Sequence, residues 1–176
     1  ETDVVVAATG SVAGANGVSL TATTGDLTQA SGSLIDGGTG DVTLSAGTDA
    51  TIGQVKTAGA GTIGITAVAG RIDLNDAIEA ANGSIGVMAQ TALALASSAS
   101  VTATGVGGVS LTATTGDLTQ ASGSLIDGGT GNVTLSAGTD ATIGQVKTAG
   151  AGTIGITAVA GRIDLNDAIE AANGSV

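Results

Sequence analysis

Apolar and polar residues alternate along this chain in short bursts that keep returning in one order. Val18, Leu20 and Ala22 recur as Val42, Leu44 and Ala46, then as Ile63, Ile65 and Ala67, then as Ile85, Val87 and Ala89. A period of two puts each triplet on one face of a strand and the Ser, Thr or Gly between them on the other. A second apolar position follows at Leu27, at Ala50 with Ile52, at Ile72 with Leu74, and at Leu93 with Leu95. A third follows at Leu34, Val55, Ile78 and Val101. Glycine-containing turns close each cycle, in Gly37-Gly38-Thr39-Gly40, Gly59-Ala60-Gly61, Asn82-Gly83 and Gly107-Gly108. Three short strands and a turn make one coil, and the coils run 18–40, 41–61, 62–83 and 84–108. Stacked in register at about 4.8 Å per coil, they predict an all-β parallel β-helix with three short strands per coil.

A longer period lies over the shorter one. Residues 18–85 reappear as 109–176, an offset of 91, and differ only at Asp41 versus Asn132 and Ile85 versus Val176. The expected organisation is a single β-helical repeat domain over 1–176, with a shortened first coil at 1–17, a 91-residue unit at 18–108 and a second, incomplete unit at 109–176. Val4, Val6, Ala8 and Val12 fall in the matching columns of that first coil. About eight coils give a rod of roughly 35 to 40 Å. Neither end carries a polar cap, which implies a longer array, and the expected partners are neighbouring repeats of a longer chain or another copy, through end-to-end or lateral self-association. A helical solenoid conflicts with the period of two, and a sandwich of antiparallel hairpins does not explain why successive segments share one column order.

Composition narrows the picture. The chain of 176 residues has no Phe, Tyr, Trp, Cys, His or Pro, and its 42% hydrophobic content is almost all Ala, Val, Ile and Leu, so the interior must be narrow. Fifteen acidic against four basic residues give a net charge of −11, which argues against a nucleic-acid partner and allows loose binding of divalent cations between acidic surfaces. No apolar run reaches the roughly 20 residues of a membrane helix, so no membrane insertion is expected.

The segments DVTLSAGTDATIGQVKTAGAG and TIGITAVAGRIDLNDAIEAANG resemble the degenerate repeats of filamentous-haemagglutinin-type exoproteins, bacterial surface proteins secreted through two-partner or autotransporter routes. The resemblance covers essentially the whole chain. It implies a right-handed β-helix in long extracellular fibres, acting in adhesion, aggregation or matrix formation, with surface glycans as further partners.

Candidate chemistry is thin without His or Cys, and neither a catalytic residue nor a cofactor is assigned. Asp73, Asp76 and Glu79, repeated as Asp164, Asp167 and Glu170, form the dense acidic group that a carbohydrate-active enzyme on this scaffold would use. Such an enzyme also needs aromatic platforms for sugar rings, and a solvated acidic edge is the simpler expectation. Gly37-Gly38-Thr39-Gly40-Asp41 resembles a calcium-binding nonapeptide turn but lacks the residue between the last Gly and the Asp, so a metal-free turn is expected. Asp26, Asp49 and Arg71 align on successive coils, as do Asp117, Asp140 and Arg162, and an Asp49–Arg71 ion pair is expected to relieve stacked negative charge. Lys56 and Lys147 read as solvated turn-side charges rather than ligands. Thr21-Ala22-Thr23 and Thr102-Ala103-Thr104 have the spacing of an ice-binding face, but the intervening pairs Thr43 with Ser45, Gly64 with Thr66 and Gly86 with Met88 interrupt it. Asn82, Asn132 and Asn173 fit the glycosylation sequon, although Asn-Gly is also a good turn pair. The leading expectation is a rigid spacer or filament segment, with a carbohydrate-binding adhesin surface and a β-helical enzyme as alternatives.

Overall fold

The computed structural model describes residues 2–176 as an all-β parallel solenoid of about seven turns, without helix among the described residues. Three parallel sheets run its length. The first has seven strands, from Val18–Ala22 to Ile154–Ala158; the second has eight, from Val4–Val6 to Ile163–Leu165; the third has eight, from Ser11–Ala13 to Ile169–Ala171. The expected columns of the first sheet are the observed register. Val18 pairs with Val42, Leu20 with Leu44 and Ala22 with Ala46, and the ladder passes through Ile63, Ile85, Val109 and Val133 to Ile154.

Alternation sets the core. Every first-sheet strand from Val42–Ala46 to Val133–Ala137 buries its first, third and fifth residues, and the second sheet buries pairs such as Ile72 with Leu74. One continuous aliphatic cluster fills the tube. The side chains that fill it are all Ala, Val, Ile and Leu, stacked column on column from coil to coil.

Three expectations are corrected. In the third sheet the inward column is Ile35, Val55, Ile78 and Val101, so Ile35 and not Leu34 is buried there. Ser33 sets the parity: it is buried, with its hydroxyl donating to the Ala30 carbonyl, so Leu34 faces out beside Gln54. Residues 4–17 enter one column later than the triplet pattern suggests. Val4 pairs with Leu27 and Val12 with Ile35, so this coil begins in the second sheet, corresponds to residues 93–108, and leaves Ala8 in an exposed turn. The expected eight coils therefore become eight strands in two sheets and seven in the third, about seven full turns.

Glycine is required at some corners. Gly38 and its copy Gly129 have φ of 58° and 57°. At Gly83 a Cβ would lie 1.9 Å from the Gly61 carbonyl oxygen, because the turns of adjacent coils stack backbone on backbone.

Candidate functional site: polar corners and outward faces

At the corner leading into the second sheet, each coil presents the peptide N–H of the residue just before the strand. The aspartate of the preceding coil accepts it. Asp3 Oδ1 takes the Asp26 N–H at 3.0 Å, Asp26 Oδ1 the Asp49 N–H at 3.0 Å, and Asp49 Oδ1 the Arg71 N–H at 2.9 Å. The second unit repeats this from Asp117 to Asp140 and from Asp140 to Arg162, at 3.1 and 2.9 Å. Ala92 occupies the same column between the two runs, because Ile72 pairs with Leu93 and Leu93 with Leu118, so the ladder restarts in each unit. The Thr48 and Thr139 hydroxyls also donate to Asp26 and Asp117. These hydroxyls first, and then the peptide N–H bonds, hold both carboxyls below their ordinary range.

The expected Asp49–Arg71 ion pair is absent. Asp49 serves the Arg71 backbone, and the guanidinium turns along its own strand to Asp73; Arg162 likewise pairs with Asp164 at 2.8 Å. A carboxylate two residues ahead on the same outward face is in easier reach than one already occupied by a peptide N–H. Lys56 and Lys147 are not solvated turn charges: both lie half-buried in third-sheet strands, and each meets an aspartate of the preceding coil, Asp36 or Asp127, at 3.1 Å. The Gly38 N–H, ahead of Lys56, holds the Asp36 carboxyl below its usual value.

The acidic group of Asp73, Asp76 and Glu79 is divided by the fold. Asp73 lies on the outward face of the second sheet, Asp76 turns back at the corner to accept the Ala77 N–H at 2.8 Å, and Glu79 lies on the third sheet beside Lys56. Asp164, Asp167 and Glu170 repeat that division, with Asp167 accepting the Ala168 N–H. Among the described residues no group of three or more acidic side chains is placed to hold a metal ion. Asp41, at the end of the glycine turn, accepts from both the Thr62 N–H at 2.8 Å and the Thr62 hydroxyl at 3.0 Å, and Asn132 keeps the N–H bond to Thr153 at 2.9 Å. The two Thr-x-Thr segments do not share a face, because Thr21 belongs to the first sheet and Thr102 to the third. Asn82, Asn132 and Asn173 are all exposed at corners.

The sequence reading missed the buried polar positions. Gln29 and Gln120 stand in the column otherwise filled by Ile52, Leu74 and Leu95. The Gln29 amide donates to the Ser33 and Gln54 carbonyls and accepts from Gly53, and Gln120 repeats this. Thr57 and Thr148 donate to the Gly61 and Gly152 carbonyls. A polar residue interrupting an apolar column was the available signal. Every buried side-chain polar atom among the described residues has a partner.

Two surface features remain. A groove of about 280 Å³ lies on the third-sheet side between Lys56, Glu79, Thr102 and Thr104, and a wider one of about 590 Å³ lies along Lys147 and Glu170 in the last coil, bounded by Asp127 and Val176. A shallower one of about 230 Å³ crosses the start of the first sheet over Gly86 and Gly108. Compared with family models, with curated proteins and with solved structures, the chain gives no match.

Proposed function

We propose that this chain is a rigid segment of an extracellular bacterial fibre or surface protein of the filamentous-haemagglutinin kind, in which the solenoid sets length and spacing. The observation that carries this reading is the use made of its polar side chains. Asp26, Asp49, Asp41 and Gln29 each bond the backbone of the next coil, and the second unit repeats the pattern with one Asp-to-Asn change. Side chains that join coil to coil make a stack that lengthens without changing shape. Partners on this reading are neighbouring repeats or other copies meeting end to end. On the same reading divalent cations bind only loosely to the acidic surface.

The test is electron microscopy of arrays of one, two and four 91-residue units, with mass measured under denaturing conditions. Each added unit should lengthen the rod by about 19 Å at constant width, from four coils at ~4.8 Å. Particles that grow in width, or fold back, overturn the reading. A second reading, adhesion to glycans, is favoured by a groove along Lys and Glu in both units. Saturable glycan binding that disappears with Glu79→Gln and Glu170→Gln would support it.

A further inference from the structure

The outward side of the first sheet differs from the rest of the surface. Its strands turn their second and fourth residues outward, half-buried or exposed, and none of these positions in the seven strands carries a charge, although the molecule has a net charge of −11. Four strands place Ser and Thr there. The other three place Gly64 with Thr66, Gly86 with Met88, and Gly155 with Thr157. These glycines are not explained by the coil itself. A Cβ at Gly86 or Gly155 would meet nothing within 4 Å, one at Gly64 only the Val42 carbonyl oxygen at 4.0 Å, and all three have ordinary negative φ. Glycine in mid-strand weakens a sheet, and it commonly marks a place where another backbone or ligand comes close. Beside this row Met88, the only methionine of the chain, stands 51% exposed.

We propose that this face binds a second copy of the chain, side by side and parallel, about a two-fold axis parallel to the rod. That axis reverses the strand direction across the interface, so the second position of each strand faces the fourth position of its mate. Met88 then enters the space over the mate's Gly86, Thr66 faces Gly64, Thr157 faces Gly155, and the remaining strands match Ser with Thr. The bulkier residue of each glycine-bearing strand thus meets the glycine, and the same contact is made twice, as an isologous interface requires. Charge selects the same face. Copies this acidic repel one another on sides carrying Asp36, Glu79 or Asp73, and here they meet without opposing carboxylates. Seven strands at ~4.8 Å by five residues at ~3.3 Å give roughly 1,100 Å² buried over both partners, just above the roughly 1,000 Å² of a specific interface. The expected association is therefore at the weak end of specific contacts, and stronger as salt screens the net charge.

The inference goes beyond the rod reading and is tested separately. Sedimentation of the 176-residue chain should show conversion from 16.2 kDa to twice that mass with rising concentration. Gly86→Lys should raise the dissociation constant at least tenfold with an unchanged circular dichroism spectrum. Gly86→Thr should weaken association while raising the melting temperature of the monomer, an outcome that damage to the fold does not produce. Orientation is read by disulfides: Gly86→Cys mixed with Met88→Cys should cross-link, and Met88→Cys alone should not. A chain that stays monomeric at millimolar concentration overturns the proposal, as does association indifferent to Gly86→Lys or a preferred Met88→Cys self-cross-link. Rods that lengthen with added units but never pair leave the rod reading intact and remove this one.

Discussion

Residues 62–83 and 153–174 are the same sequence in the same register on the preceding coil, yet their interiors differ. Ile72 is 0% exposed and Ile163 43%; Leu74 is 0% exposed and Leu165 52%. Among the described residues the first copy has a coil on both sides, and the second has one only below it. Strand formation and register are thus carried by the coil and the one it stacks on, whereas burial is completed by the coil that follows. Each coil supplies half of two layers of core. The largest expected effect tests this directly. Ile72→Ala should cost about 2 to 5 kcal/mol, as a cavity in a packed core does, and the chemically identical Ile163→Ala should cost about 1 kcal/mol or less. Urea titrations of the two variants give the comparison. Equal costs would mean that burial does not depend on the following coil.

The glutamines sharpen the comparison from the other side, since Gln29 and Gln120 both have a following coil. Each amide reaches forward to a carbonyl there, Gln54 or Gln145, and takes the N–H of Gly53 or Gly144. Gln29→Ala would leave that N–H without a partner inside the tube, at about 2 kcal/mol, and Gln120→Ala should cost the same. Gln29→Leu restores volume but not the bond, so it should recover only part of the loss. Full recovery in urea titrations would show that packing, and not the hydrogen bonds, holds this corner.

Much of the fold was legible because the column order is repeated in every coil: one alignment of Val18, Leu20 and Ala22 with later triplets fixes the first sheet. Reading failed where two apolar residues stand side by side. Leu34-Ile35 offers both parities to a period of two, and the choice is made by the buried Ser33, whose role depends on a carbonyl at Ala30 that no pattern reveals. Ala8 failed for a related reason, since three valines in a row at Val4–Val6 fit either the first or the second column. At the corners, alignment found the stacked aspartates but assigned them the wrong partner. Charge suggested a guanidinium, while the nearer donor is a peptide N–H, present at every residue and invisible in side-chain lettering. The divided acidic group shows the same limit, because residues 73 to 79 span a corner and close spacing in sequence becomes separation on two faces.

A smaller effect is expected where both units carry the same surface pair. Lys56 faces Asp36 and has Glu79 as its other strand neighbour, and Lys147 stands likewise between Asp127 and Glu170. With about two fifths of each lysine side chain in solvent, Lys56→Met and Lys147→Met should each change stability by about 0 to 1 kcal/mol, and by less in high salt. A loss above that range in either unit would mean that the pair holds the corner more firmly than its exposure suggests.

The smallest effect at neutral pH concerns the internal difference between the two units, and acid should enlarge it. Asp41 accepts the Thr62 N–H, and Asn132 accepts the Thr153 N–H through the corresponding oxygen, so Asp41→Asn keeps the bond from coil to coil. At pH 7 its unfolding midpoint should stay within the error of the measurement. In acid the two residues part company. The Thr62 N–H, and then its hydroxyl, hold the Asp41 carboxyl below its ordinary value of 3.8, so the unfolded chain takes up this proton before the folded one does. The stability contributed by Asp41 is therefore complete above that value and is lost as pH falls through the lower folded value, whereas an amide there has no proton to take up. Asp41→Asn should flatten the decline of stability below about pH 4, and Asn132→Asp should steepen it. Asp26, Asp36 and Asp117 are depressed in the same direction and keep the rest of the decline in every variant. Urea midpoints collected from pH 7 down to pH 2 separate the cases. Identical acid limbs for the parent chain and both variants would show that the corner bond is made equally well by a protonated carboxyl, and that the exchange between the units carries no acid sensitivity.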